Sequence, residues 1–205
     1  EVISGLRVYV MLDISGSMSQ SIEGAKGYLA KFLQGFPVEQ THVCVFNTSA
    51  RDVVIKHPSA AGVEHAFKGF SAGGGTDHGA AVLHMARHAP APDEDALFIF
   101  VGDQEDRRFT AAVQRSGLKP VAFGFLMVGP TAAYWDAVDG TAAELGIPCF
   151  RIEESTFSDP YAVTRTLRGL IASTPTGAIS SRQATPSLVA TILATDLLEK
   201  PVWAT

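Results

Sequence analysis

The chain has 205 residues, 46% of them hydrophobic and 18% charged, enough for one domain with a core of useful size. Its net charge of -5 supplies no basic patch of the kind that nucleic-acid binders carry, so direct binding of RNA or DNA is not expected. No apolar run approaches the roughly 20 residues that span a bilayer, and no basic stretch precedes an apolar one at the start, so we expect a soluble domain without membrane contact.

Residues 6–12 (LRVYVML) are an alternating β-branched and aliphatic run that predicts a buried strand. The run stops at Asp13, Ser15 and Ser17, one acid and two hydroxyls at every second position. Hard oxygen donors of this kind suit Mg²⁺, Mn²⁺ or Ca²⁺ better than zinc. A helix follows, with Ile22, Ala25, Leu29, Phe32 and Leu33 on its apolar face and Gly35 and Pro37 as stop signals. Residues 41–46 (THVCVF) and 52–55 (DVVI) read as an antiparallel hairpin at a sheet edge, and residues 60–70 as a short helix.

Three glycines, Gly73 to Gly75, then deliver Thr76 and Asp77 to the start of a helix that runs to about His88. They fit neither phosphate-binding glycine fingerprint, and the lysine of a P-loop is missing. Residues 96–101 (ALFIFV) are continuously apolar, as in a strand buried on both faces, and stop at Gly102 and Asp103. The cluster GDQEDRR leads to a weak helix over 110–116, a second buried strand over 120–128, a helix over 132–145, a short strand over 148–152 and a helix over 160–171. Strands alternating with helices predict an α/β fold: a doubly wound, mostly parallel sheet with one antiparallel edge strand and helices on both faces.

Residues 172–186 shift to Ser, Thr, Gly and Pro, a linker by composition. Residues 187–199 read as an amphipathic helix whose face of Leu188, Ile192, Leu193 and Leu197 must bury against this domain or a neighbouring one. The expected organisation is one domain over 1–171, a linker over 172–186, and a terminal helix and tail over 187–205. A start at Glu1 without methionine is expected of a fragment or a processed product. Cys44 and Cys149 lie in core-strand segments and read as buried free thiols, which leans towards a reducing, cytoplasmic setting.

In an open α/β sheet, ligands bind where the carboxyl ends of the strands meet their loops. Asp13, Ser15 and Ser17, then Thr76, then Asp103 all fall at that rim, and their order D-x-S-x-S, T, D resembles the metal-ion-dependent adhesion site of von Willebrand factor type A domains. The resemblance covers about residues 7–171. It implies that Ser15, Ser17 and Thr76 are direct hydroxyl ligands of a divalent cation, and that Asp13 and Asp103 are carboxylates acting largely through water. It also implies a partner protein whose Asp or Glu completes the coordination, so that the metal is a bridge and no catalysis is involved. A narrower likeness joins Gly-Gly-Thr-Asp and the run from Gly102 to Asp106 to the domain of Ro-type ring proteins, although Gly102 stands where those have threonine.

Other chemistries compete for the same residues. A haloacid-dehalogenase-type phosphohydrolase would use Asp13 as nucleophile but needs a second acid at the position of Ser15. A structural scaffold with a vestigial metal site is a further alternative. His84 and His88 stand four apart, as zinc ligands can, yet Met85 sits where the glutamate of H-E-x-x-H belongs, so solvated or packed histidines are the expected reading. No G-x-S-x-G elbow supports a serine hydrolase. His78 is expected at the rim, Asp77 either at a helix start or behind the metal, Glu105 and Asp106 in solvent, and Tyr134 and Trp135 in the core.

Overall fold

A computed structural model describes residues 5–34, 36–57, 59–129, 134–155, 165, 168–172 and 174. Six strands form one sheet: β1 (Leu6–Asp13), β2 (Thr41–Phe46), β3 (Ala50–Asp52), β4 (Asp95–Gly102), β5 (Pro120–Met127) and β6 (Cys149–Glu153). Their order is β3-β2-β1-β4-β5-β6, parallel except for β3, which pairs antiparallel with β2 at the edge. This is the doubly wound arrangement expected from the alternation of elements.

The alternation along β1 explains why both faces need cover. Leu6, Val8, Val10 and Leu12 enter one core together with Ile22, Ala25 and Leu29 of α1 (Ile22–Leu33) and Val63 and Phe67 of α2 (Ala60–Phe67). Tyr9 and Met11 enter the other, against Ala81 and Val82 of α3 (His78–Met85), Val113 of α4 (Thr110–Ser116) and Val138 of α5 (Ala137–Leu145). The period of two in a strand supplies each core from one set of alternate positions. β4 is buried from Ala96 to Gly102 because both faces are packed.

Two elements depart from the sequence reading, and a third lies partly outside the described residues. The second hairpin strand is Ala50–Asp52, earlier than the apolar run 52–55. Register with β2 decides it: Phe46 pairs with Ala50 and Cys44 with Asp52, while Val54 is exposed. The helix expected from residue 132 begins at Ala137; Tyr134 is 75% exposed and its ring lies tilted against that of Trp135, outside the core. The predicted helix over 160–171 is described only at Arg165 and residues 168–172, which are helical, and Leu170 packs in the first core. Residues 175–205, with the expected terminal helix, lie outside the described residues.

Cys44 is buried and Cys149 half-buried, and both are free. Strands β2 and β6 are separated by β1, β4 and β5, a span of about 19 Å at the usual strand spacing, so the two thiols cannot bridge. Among the described residues no helix is long and apolar enough to cross a membrane.

Candidate metal centre

The strand order reverses direction between β1 and β4: the chain moves from β1 outward to β2 and β3, then returns to β4 and continues to β5 and β6. At such a switch point the loops diverge to opposite faces and leave a crevice at the carboxyl ends of the strands. Asp13 closes β1, and Asp103 follows Gly102, the last residue of β4.

Asp13 is fully buried. Its Oδ1 accepts the backbone N–H of Ser15 at 2.7 Å, while its Oδ2, also buried, has no hydrogen-bond partner. Burial pushes its carboxyl up to about 6, against the opposing pull of His78 and the hydrogen bond from Ser15, with Asp103 adding to the rise. Buried polar atoms without partners are rare because they forfeit hydration without compensation. A cation at the rim would compensate both the orphaned oxygen and the charge.

The hydroxyls are arranged to match. Ser15 is buried, Ser17 exposed, and their Oγ atoms lie 3.1 Å apart. Oxygens at adjacent corners of an octahedron with Mg²⁺ bonds of 2.0–2.1 Å lie about 2.9 Å apart, so the pair could occupy neighbouring corners with almost no adjustment.

Backbone hydrogen bonds clamp the glycine loop that carries Thr76 onto the same place. Gly73 N–H donates to Ile14 O at 2.8 Å and Gly16 N–H to Gly74 O at 2.9 Å. Asn47, just past β2, holds the other side: its Nδ2 donates to Gly73 O at 3.0 Å and its carbonyl accepts Asp77 N–H at 2.9 Å. Glycine at 16 permits this approach, since a Cβ there would lie 3.1 Å from Gly74 O. Gly74 takes φ +83, a conformation that suits glycine. Thr76 itself is half-buried.

Asp103 is 4% exposed, and its Oδ1 accepts Glu105 N–H at 3.0 Å. The five residues singled out in the sequence therefore fall in three loops at one end of the sheet, two of them stitched together directly. Among the described residues no group of three or more His, Cys, Asp or Glu forms a metal cage; the centre is instead rich in hydroxyls, which is the donor set of a hard cation.

Several neighbours act differently from the sequence reading. His78 is buried rather than exposed: its ring packs against Phe46, Phe100 and Phe109. Its backbone N–H and Nδ1 both meet Asp106 Oδ2, at 2.8 and 3.0 Å, so Asp106 is a partly buried tie between α3 and the loop after β4, and not a solvated acid. Asp77, as one of its two expected roles had it, caps α3 by accepting Ala80 N–H at 2.9 Å. Gln104, which carried no assigned role, is fully buried and reaches the start of α5.

His84 and His88 gather round Asp52 on β3, with Nε2 atoms 2.8 and 3.5 Å from its Oδ1. Arg87 places a guanidinium N–H 2.9 Å from His84 Nδ1. Both rings are thus engaged by Asp52 and, for His84, by Arg87, and among the described residues they form no metal-binding group. A cleft of about 560 Å³ between α1 and α2, lined by Glu23, Lys26, Glu64 and Lys68 among others, shares no residue with the rim.

A doubly wound sheet of this order, with a D-x-S-x-S loop at its switch point, is the architecture of von Willebrand factor type A domains. The family described as "VWA domain containing CoxE-like protein" matches residues 4–145, and the chain belongs to it. The narrower Ro-type likeness rests only on the short runs around Thr76 and Asp103. Solved structures share the fold at low identity. BatB from Bacteroides thetaiotaomicron is 18% identical with a TM-score of 0.58, over 81% of this chain and 98% of that one. An aerotolerance-related membrane protein from Bacteroides fragilis is 19% identical with a TM-score of 0.55, over 80% and 100%. Proximal thread matrix protein 1 from the mussel byssus, solved with a zinc-occupied MIDAS motif, is 12% identical with a TM-score of 0.53, over 82% and 47%. No curated protein matches the chain in sequence.

Proposed function

We propose that this domain is a metal-dependent protein-interaction module without catalytic activity. Ser15, Ser17 and Thr76 hold a divalent cation directly, and Asp13 and Asp103 hold it through water. The observation that carries this reading is the buried Asp13 Oδ2 without a hydrogen-bond partner, at the head of a loop whose two hydroxyls stand at octahedral edge spacing. Neutral hydroxyl ligands leave a dication under-neutralised, so an Asp or Glu from a partner protein is the natural sixth ligand. Mg²⁺ or Mn²⁺ fits the donor set best, with Ca²⁺ next; the zinc reported in the mussel protein's motif is a property of that protein. Because the matched family is defined by such domains, membership supports the reading.

Calorimetric titration with Mn²⁺ tests it. Binding to one site is expected in the wild type and lost in Asp13→Asn and in Thr76→Ala, with circular dichroism unchanged. A folded wild type that binds neither Mn²⁺ nor Mg²⁺ at millimolar concentration would sink the proposal. The phosphohydrolase alternative requires Mg²⁺-dependent release of phosphate from an aryl phosphate, abolished in Asp13→Asn. Ser15 stands where its general acid should be, and we expect no release.

A further inference from the structure

We propose that Gln104 is a positioning residue that couples the metal rim to α5 and, through Asp139 and Arg151, to the edge strand β6. The inference rests on the metal-site reading above and deepens it.

Gln104 directly follows Asp103 and is fully buried, and among the described residues it is the non-glycine residue with positive φ, at 50°. Side chains rarely adopt that conformation, so the surrounding structure must hold it. The hold is visible. Gln104 Oε1 accepts the N–H groups of Val138 and Asp139 at 3.1 and 3.4 Å, and its Nε2 donates to Asp139 Oδ2 at 3.0 Å. Asp136, the residue before α5, makes no side-chain cap bond. The amide of Gln104 thus does from a distance what an N-cap does locally, satisfying donors that a helix start leaves open. Asp139 Oδ2 also accepts from Arg151 Nε at 2.9 Å and from the same guanidinium's terminal nitrogen, which extends the chain of bonds to β6.

The consequence is geometric. Asp103 and Gln104 share one peptide unit, so ordering Asp103 at the metal narrows the backbone freedom from which the Gln104 amide reaches α5. In the reverse direction, the three bonds to α5 preset the backbone that presents Asp103 to the cation. Such outer partners orient metal ligands, and losing one typically costs about 10–100-fold in metal affinity.

The test compares the wild type, Q104G and D139A as full chains. Glycine accepts a φ of 50°, so Q104G removes the side-chain bonds without straining the turn; D139A removes the carboxylate at the far end and carries the test if Q104G does not fold. Two quantities are measured: the Mn²⁺ dissociation constant by calorimetry, and amide exchange at Val138 and Asp139 with and without Mn²⁺. We expect Mn²⁺ to slow exchange at both amides in the wild type, Q104G to bind Mn²⁺ about 10–100-fold more weakly, and D139A to be weakened in the same direction. Variants that lose thermal stability in the absence of metal yet bind Mn²⁺ as tightly as the wild type would reduce Gln104 to a helix cap and overturn the coupling. A wild type that binds no Mn²⁺ overturns it too, by failing at the metal site itself.

Discussion

Gly102 stands beside Asp13, and the space between them decides what the centre can be. A Cβ built on Gly102 would lie 2.7 Å from Asp13 Cβ and 3.3 Å from Asp13 Oδ2. Neither residue can step aside cheaply, because Asp13 is in register with Phe46 on β2 and the preceding pair, Leu12 and Val101, is fixed between β1 and β4. Gly102→Ala is therefore expected to cost about 1–3 kcal/mol in urea denaturation without metal, the usual range for overpacking, and to weaken Mn²⁺ binding by displacing Asp13. Threonine, which the Ro-type pattern has there, would cost more. If alanine at 102 is neutral by both measurements, the approach to Asp13 is not a constraint. The departure at Gly102 was legible as a letter in the sequence, but its cause was not: a close approach between adjacent strands has no one-dimensional signal.

At the scale of elements, the strands and the three rim loops were readable because burial on two faces writes long apolar runs such as residues 96–101, and because a ligand loop follows directly from the strand before it. What escaped the reading depended on partners distant in sequence. The edge strand follows its register with β2, so Arg51 and Asp52 are in it while the more apolar Val54 is not. His78 is buried because three phenylalanines and one acid converge on it. That acid, Asp106, yields a pH prediction. Burial raises its pKa, but the bonds from the His78 ring and backbone and from Arg107 N–H outweigh burial and hold it below the usual carboxylate range. A carboxyl depressed in the folded state contributes stability that is fully present above the unfolded value, near 3.9, and is lost as pH falls through the folded value. Asp106→Asn is accordingly expected to lose about 1.5–3 kcal/mol at pH 7, as for hydrogen bonds to a charged group. The gap between wild type and variant should narrow below about pH 4. A gap that is absent at pH 7, or constant down to pH 3, would contradict the assignment.

For the whole molecule, the question is whether a cation at the rim would steady the loops alone or the entire domain. The topology favours the domain. Asp13, Ser15, Ser17 and Asp103 sit at the ends of β1 and β4, neighbours at the middle of the six-stranded sheet, and both strands contribute to the two cores. The glycine loop is tied to the backbone of Ile14 and Gly16 and to Asn47 beyond β2. Opening the site thus means breaking bonds rooted in the central strands, and a cation that binds only the closed site is linked to global unfolding. Mass action then gives about 2.7 kcal/mol at a metal concentration one hundred times the dissociation constant. For a domain of this size that is a rise of roughly 5–10 °C in melting temperature. The same free energy should appear in hydrogen exchange at Val10, Leu12, Ile99 and Val101, whose amides lie in the central strands and are expected to open only by global unfolding. Slowing confined to residues 14–17 and 73–77, with the central amides and the melting temperature unmoved, would show instead that the three loops form a separate local unit that opens without the sheet.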